Sequence, residues 1–148
     1  MSDPHLPTDP ADWRSWLGWM HDAILLALSV DYERGVLELR LDLWVGDPSA
    51  PPGEEREARR PCRMRVSGLQ YCVIEPPDPR YMSEPSYLDA PMIDAGEGVP
   101  SKTHPHFHLK TSTAITLWIF VSNRNSFILL AGTRVEFHLG EPPPASDA

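Results

Sequence analysis

His104-Pro105-His106-Phe107-His108 sets three imidazoles at alternate positions. On an extended backbone, alternate residues share one face. Neighbours in such a row stand ~7 Å apart, so they meet on one ion only where the strand bends. Pro105 would assist a bend. Neutral imidazole is a common ligand for divalent transition metals. Asp94 and Glu97, just upstream, are candidate oxygen ligands. This constellation supports a divalent-metal binder or a small metal-dependent enzyme. The competing expectation is three structural or solvated histidines.

His21-Asp22 is a weaker pair. A carboxylate can orient an imidazole, but chain neighbours seldom point at each other, so a role at the end of a helix or the start of a strand competes. No Gly-x-Ser-x-Gly elbow, glycine-rich phosphate loop or Cys-x-x-Cys occurs. No catalytic set is expected.

These residues must be positioned by a small body. The length of 148 residues suits one domain, and 41% apolar residues suffice for a core. Thirteen Lys and Arg face 21 Asp and Glu, a formal charge of −8. Nucleic acid is therefore not expected as a partner, because the basic footprint that phosphate binding needs is absent. Acidity fits solubility or a basic protein partner. No secretory leader or membrane-spanning run is visible, so a cytoplasmic chain is expected. Cys62 and Cys72 would lie ~33 Å apart on one continuous strand, beyond disulfide reach, and read as free thiols.

Seventeen prolines mark where regular elements cannot run. Residues 1–9 read as a flexible arm and 141–148 as a flexible tail around one globular domain, 10–140. Trp13, Trp16, Leu17 and Met20 recur at helical spacing, predicting a helix over Pro10–Met20, capped by Thr8 or Asp9. Its three tryptophans, Trp13, Trp16 and Trp19, either pack on a sheet or form an aromatic surface. With Tyr81 and Tyr87 they are the candidate partner-binding residues, since large aromatics concentrate at binding hot spots.

Val36–Val45 alternates Leu37, Leu39, Leu41 and Leu43 with Glu38, Arg40 and Asp42, a half-buried strand. Asp31–Gly35 is a hairpin loop back to a strand over Ile24–Val30. Gly46–Pro61 is an exposed loop. Cys62–Ile74 is a third strand whose apolar phase shifts at Gly68, predicting a β-bulge there. Residues 75–105 form a long Pro-rich loop and the expected location of any binding surface. Ser112–Val121 is apolar on both faces, as in a strand covered on both sides by the helix or a second subunit. Ser122–Asn125 is a turn. Ser126–Ala131 and Arg134–Leu139 then read as a hairpin about Gly132-Thr133, with Ile128 opposite Phe137 and Leu130 opposite Val135. The expected fold is α+β and mostly β: an antiparallel sheet, or two packed sheets, of about six strands with one N-terminal helix.

Two resemblances bear on function. Gly98-x5-His104-x-His106 resembles the opening of the cupin metal motif. Where that motif places a glutamate, this chain has Lys110 and Thr111. The second resemblance is broader. His21-Asp22-Ala23 precedes an apolar strand, Val36–Val45 follows, then Val66-Ser67-Gly68-Leu69, and last a Trp-containing strand and Val135-Glu136-Phe137. Over Met20–Leu139 this order resembles a loose group of small bacterial β-rich proteins of unknown function, some thought to be toxin-immunity proteins. The resemblance implies an antiparallel β domain without a catalytic set. The Pro-rich insertion at 75–105 is not part of that pattern. The leading expectation is a non-enzymatic cytoplasmic binding protein, of immunity type, that engages a protein partner through acidic and aromatic groups. Metal binding by His104, His106 and His108, and an apolar small-ligand pocket, are the alternatives.

Overall fold

The computed structural model describes residues 5–98 and 114–141. One short helix and eight strands make up its regular structure. The helix α1 is Trp13–Leu17, and a 3-10 turn, Gly18–Met20, follows it. The strands are β1 (Ala23–Asp31), β2 (Val36–Trp44), β3 (Arg59–Ser67), β4 (Tyr71–Ile74), β5 (Met92–Glu97), β6 (Ile115–Val121), β7 (Ser126–Gly132) and β8 (Arg134–Leu139). No helix among the described residues is long and apolar enough to cross a membrane.

All strand pairs are antiparallel, in the order β4-β7-β6-β5-β1-β2-β3-β8. The sheet has two four-stranded halves. They meet at β5 and β1 through only two residue pairs, Ala23 with Ile93 and Ile24 with Met92. They meet again at a corner where β3 passes into β4 and β8 follows β7. Strands that bend from one layer into another make such corners in packed sheets.

The alternating leucines behave as their period demands. Leu37, Leu39, Leu41 and Leu43 are buried and face Val66, Met64, Cys62 and Arg60 of β3 in register. Together with Val135 and Phe137 they join Leu117, Ile119, Ile128 and Leu130 of the other half in one apolar core. The two halves therefore close on each other. The helix seals the open side: Trp16 stacks on Phe137 with ring centroids 5.6 Å apart. Asp9 O accepts the Trp16 indole N–H at 3.0 Å. Of the residues read as an arm, Leu6 is buried in the core. The outer edge of β8 is met by the N-terminal segment, with Phe137 N–H donating to Pro10 O at 2.9 Å.

Several expectations need correction. About six strands become eight, for two reasons. Cys62–Ile74 is two strands, because Gly68 adopts φ +58 and turns the chain out of β3. The phase shift does mark an extra residue: Val66 faces Val135, yet Tyr71 faces Ala131. The other added strand is β5, inside the region read as loop, where Ile93 is its one fully buried side chain. The hairpin about Gly132-Thr133 does not form. Here β7 pairs with β4 and β6, while β8 pairs with β3. Phe137 lies opposite Met64 and Val135 opposite Val66. Gly132 serves a close approach instead, since a Cβ there would stand 2.9 Å from Ser67 O. The helix is shorter than Pro10–Met20 and begins after Asp12, with no side-chain cap bond. In β6 one face is buried, while Trp118 and Phe120 on the other are half-buried.

Candidate protein-binding surface

Ser122-Asn123-Arg124-Asn125, the turn between β6 and β7, anchors most of the Pro-rich segment. Three of its residues form a 3-10 turn, and Asn125 closes it at φ +44, a conformation Asn tolerates better than most residues. Each of the four bonds the segment between β4 and β6. Ser122 Oγ donates to Met92 O at 3.1 Å. Asn123 Nδ2 reaches three carbonyls, Ser86 and Ala90 at 3.1 Å and Asp89 at 3.3 Å. The Arg124 guanidinium lies over the Tyr87 ring at 5.5 Å. Asn125 Nδ2 donates to Asp78 Oδ2 at 2.8 Å.

Asp78 is the second anchor. Its N–H donates to Arg124 O at 2.9 Å. Its carboxylate caps the 3-10 turn Pro79–Tyr81 by accepting Arg80 N–H at 2.9 Å. It also receives the Arg80 guanidinium, at 3.1 Å from Nε and 2.8 Å from Nη2. Bonds from the Arg80 side chain, the Arg80 backbone and Asn125 hold this carboxyl well below the ordinary carboxylate range. At the start of the segment, Glu75 Oε1 accepts Phe127 N–H and Glu75 N–H donates to Phe127 O, both at 2.9 Å.

Carbonyls that no regular strand would satisfy are thus met by side chains. The backbone is fixed and its apolar side chains are left outside. Leu88 is 88% exposed and Met82 60%. Tyr81, next to Met82 in the chain, is exposed, and Tyr87 is half-buried beneath Arg124. Glu84 and Asp89 are exposed on the same segment. The result is a pre-ordered apolar and acidic platform. The Asn123 Oδ1 is buried without a hydrogen-bond partner among the described residues.

The other candidate residues lie elsewhere. Trp16 is 2% exposed and belongs to the core. Trp13 and Trp19 are half-buried and pack against that core, with Arg14 4.5 Å above the Trp13 ring. Of the five partner-binding candidates, only Tyr81 and Tyr87 share a surface with the platform. His104, His106 and His108 lie outside the described residues. Asp94 Oδ1 accepts Ala95 N–H at 2.9 Å and stands 3.4 Å from His21 Nδ1. Glu97 is held by Arg14 at 3.0 Å, and that bond lowers its carboxyl from the usual value. His21 and Asp22 do approach, at 3.6 Å, because Asp22 takes φ +62. Among the described residues, no group of three or more His, Cys, Asp or Glu is placed to hold a metal ion. Both cysteines are free.

Asp78 and Met82 were not singled out from the sequence, and the apolar stretch Tyr87–Ile93, expected to dock on the domain, buries Ile93 but leaves Leu88 outside. Asp78-Pro79 carries a readable helix-start signal, an acidic cap before proline. Nothing local marks Met82 or Leu88 as exposed.

No family model matches the chain, and no curated protein matches it. A crystal structure of an uncharacterized protein from Neisseria gonorrhoeae is similar at 13% identity and TM-score 0.43, covering 80% of this chain and 91% of that one. A likeness of that degree carries no argument about this chain.

Proposed function

We propose that this chain is a non-enzymatic cytoplasmic binding protein, of immunity type, that engages a basic protein partner through its acidic and aromatic surface. One observation carries the reading. The platform of Tyr81, Met82 and Leu88 is held in place by Asn123, Asn125 and Asp78 while its apolar side chains stay in water. Exposed apolar groups on a fixed backbone lose little conformational freedom on binding, so more of the contact energy appears as affinity. Glu84 and Asp89 on the same segment, with a formal charge of −8 over the whole chain, would steer a basic partner to it.

The test is affinity capture from the native host with tagged protein. A stoichiometric partner is expected, retained at about 50 mM salt and weakened at about 500 mM as screening shortens the reach of the charges. Leu88→Asp with Met82→Asp should abolish capture without unfolding the chain, because both side chains are exposed. No stoichiometric partner, or a partner retained by the double variant, would remove this reading.

A further inference from the structure

β4 ends the sheet on one side. Its residues Tyr71–Ile74 lie opposite Ala131–Ile128 of β7. In the same ladder Glu75 N–H bonds Phe127 O. Antiparallel pairing alternates, so the backbone groups of Tyr71 and Val73 turn toward β7. Those of Cys72 and Ile74 therefore turn toward the other edge, where no strand lies among the described residues. Across that edge stands the end of β1 and its turn into β2. Between them is a cleft of about 370 Å³, lined by Val30, Tyr32, Leu69, Tyr71, Cys72 and Ile74 among others. Ile74 is 53% exposed and Tyr32 95%. Among the described residues Asp31 is the one charged residue lining the cleft, and Arg34 pairs with it at 3.8 Å.

From this geometry we infer that the β4 edge accepts an extended, basic peptide segment of a protein partner as an added strand. The inference rests on the binding-protein reading and names where a partner's backbone would engage. Three observations select this occupant. Outward backbone donors and acceptors on Cys72 and Ile74 match an extended chain. Apolar side chains spaced along the cleft match alternate side chains of that chain. The formal charge of −8 over the chain favours positive charge in that segment, although Asp31 itself is paired with Arg34 at 3.8 Å. β4 also runs directly into the segment that bears Tyr81, Met82 and Leu88. One partner could therefore use both, with four residues of β4 offering about 13 Å of ladder.

Proline separates the edge from the rest of the molecule. It is tolerated on an edge strand where its missing N–H would have faced away from the sheet. Ile74→Pro keeps the β7 ladder and removes one outward donor. The probe is a fluorescent peptide of about eight residues alternating valine with lysine, followed by anisotropy. The native protein should bind it, and Ile74→Pro should weaken binding at least about tenfold with an unchanged melting temperature. If Ile74→Pro lowers the melting temperature, a second measurement on native protein decides. Of two peptides N-methylated at alternate amides in opposite phase, one should lose binding and the other keep it.

Equal binding by both N-methylated peptides, or by Ile74→Pro, would overturn the edge. If that binding still weakened with salt, acidic recognition would stand without it. No binding to native protein up to about 1 mM peptide would also overturn the edge, while host capture tests the wider reading separately. A native dimer dissociated by Ile74→Pro would assign the edge to a second copy and overturn the peptide.

Discussion

Cys62 and Cys72 differ in what surrounds them. Cys62 is buried in the core opposite Leu41 and Leu139, and burial pushes its thiol up to about 12. Cys72 is half-buried at the cleft beside β4, and burial raises it as well. The thiolate is the reactive form, so both should be slow toward disulfide reagents at neutral pH. In native protein Cys72 should label first and Cys62 only on unfolding, as mass spectrometry of the modified peptides can read. A thiol whose folded value is raised favours the folded state fully below the unfolded value of about 9. That contribution is lost as pH climbs from there toward 12. Stability should therefore fall over this window in native protein and fall less in Cys62→Ala, measured by urea unfolding at stepped pH. Equal labelling of both thiols in the native state would contradict the burial difference.

The helix α1 has five residues, too few to be stable alone. It stands because Trp16 and Leu17 are buried against the sheet and because Pro10 O caps the β8 edge. Trp16→Ala should cost about 3–5 kcal/mol, the range for removing a large buried aromatic. Trp13→Ala should cost much less, since Trp13 is half-buried. Chemical denaturation of the two variants checks this. Comparable losses would mean that the tryptophans act as one surface rather than as one anchor and two flanks. The tryptophan spacing showed a helix with an apolar stripe. It did not show which ring points inward, because that depends on where Phe137 lies, more than a hundred positions away.

At the scale of the whole molecule, the two halves of the sheet share one core and one corner. Gly68 stands at that corner, where φ +58 is left-handed and an added Cβ would strike the Thr133 side chain. Gly68→Ala should therefore destabilise by about 1–3 kcal/mol through strain and overpacking. It should do so for the whole molecule. Amide exchange in β2 and in β6, which lie in different halves, should accelerate together. Acceleration confined to β3 and β4 would show that the halves unfold separately.

Local pattern was enough where burial repeats along the chain. The leucine alternation of β2, the hairpin back to β1 and the turn at Ser122–Asn125 all follow from spacing of two residues or turn chemistry. The mostly antiparallel β class follows from the same signals. Pairing between distant strands needed the tertiary structure. Arg134–Leu139 can pair equally well by alternation with its chain neighbour or with β3, and the close approach at Gly132 and Gly68 decides for β3. β5 is invisible locally because it has one fully buried residue in six, and its partners β1 and β6 supply the ladder. At 75–91 the sequence marked a proline-rich chain, the expected place of a binding surface and Tyr81 and Tyr87, but not the ordering of its backbone. Asn123, Asn125 and Asp78 hold it through contacts across more than thirty residues, and no local period encodes those.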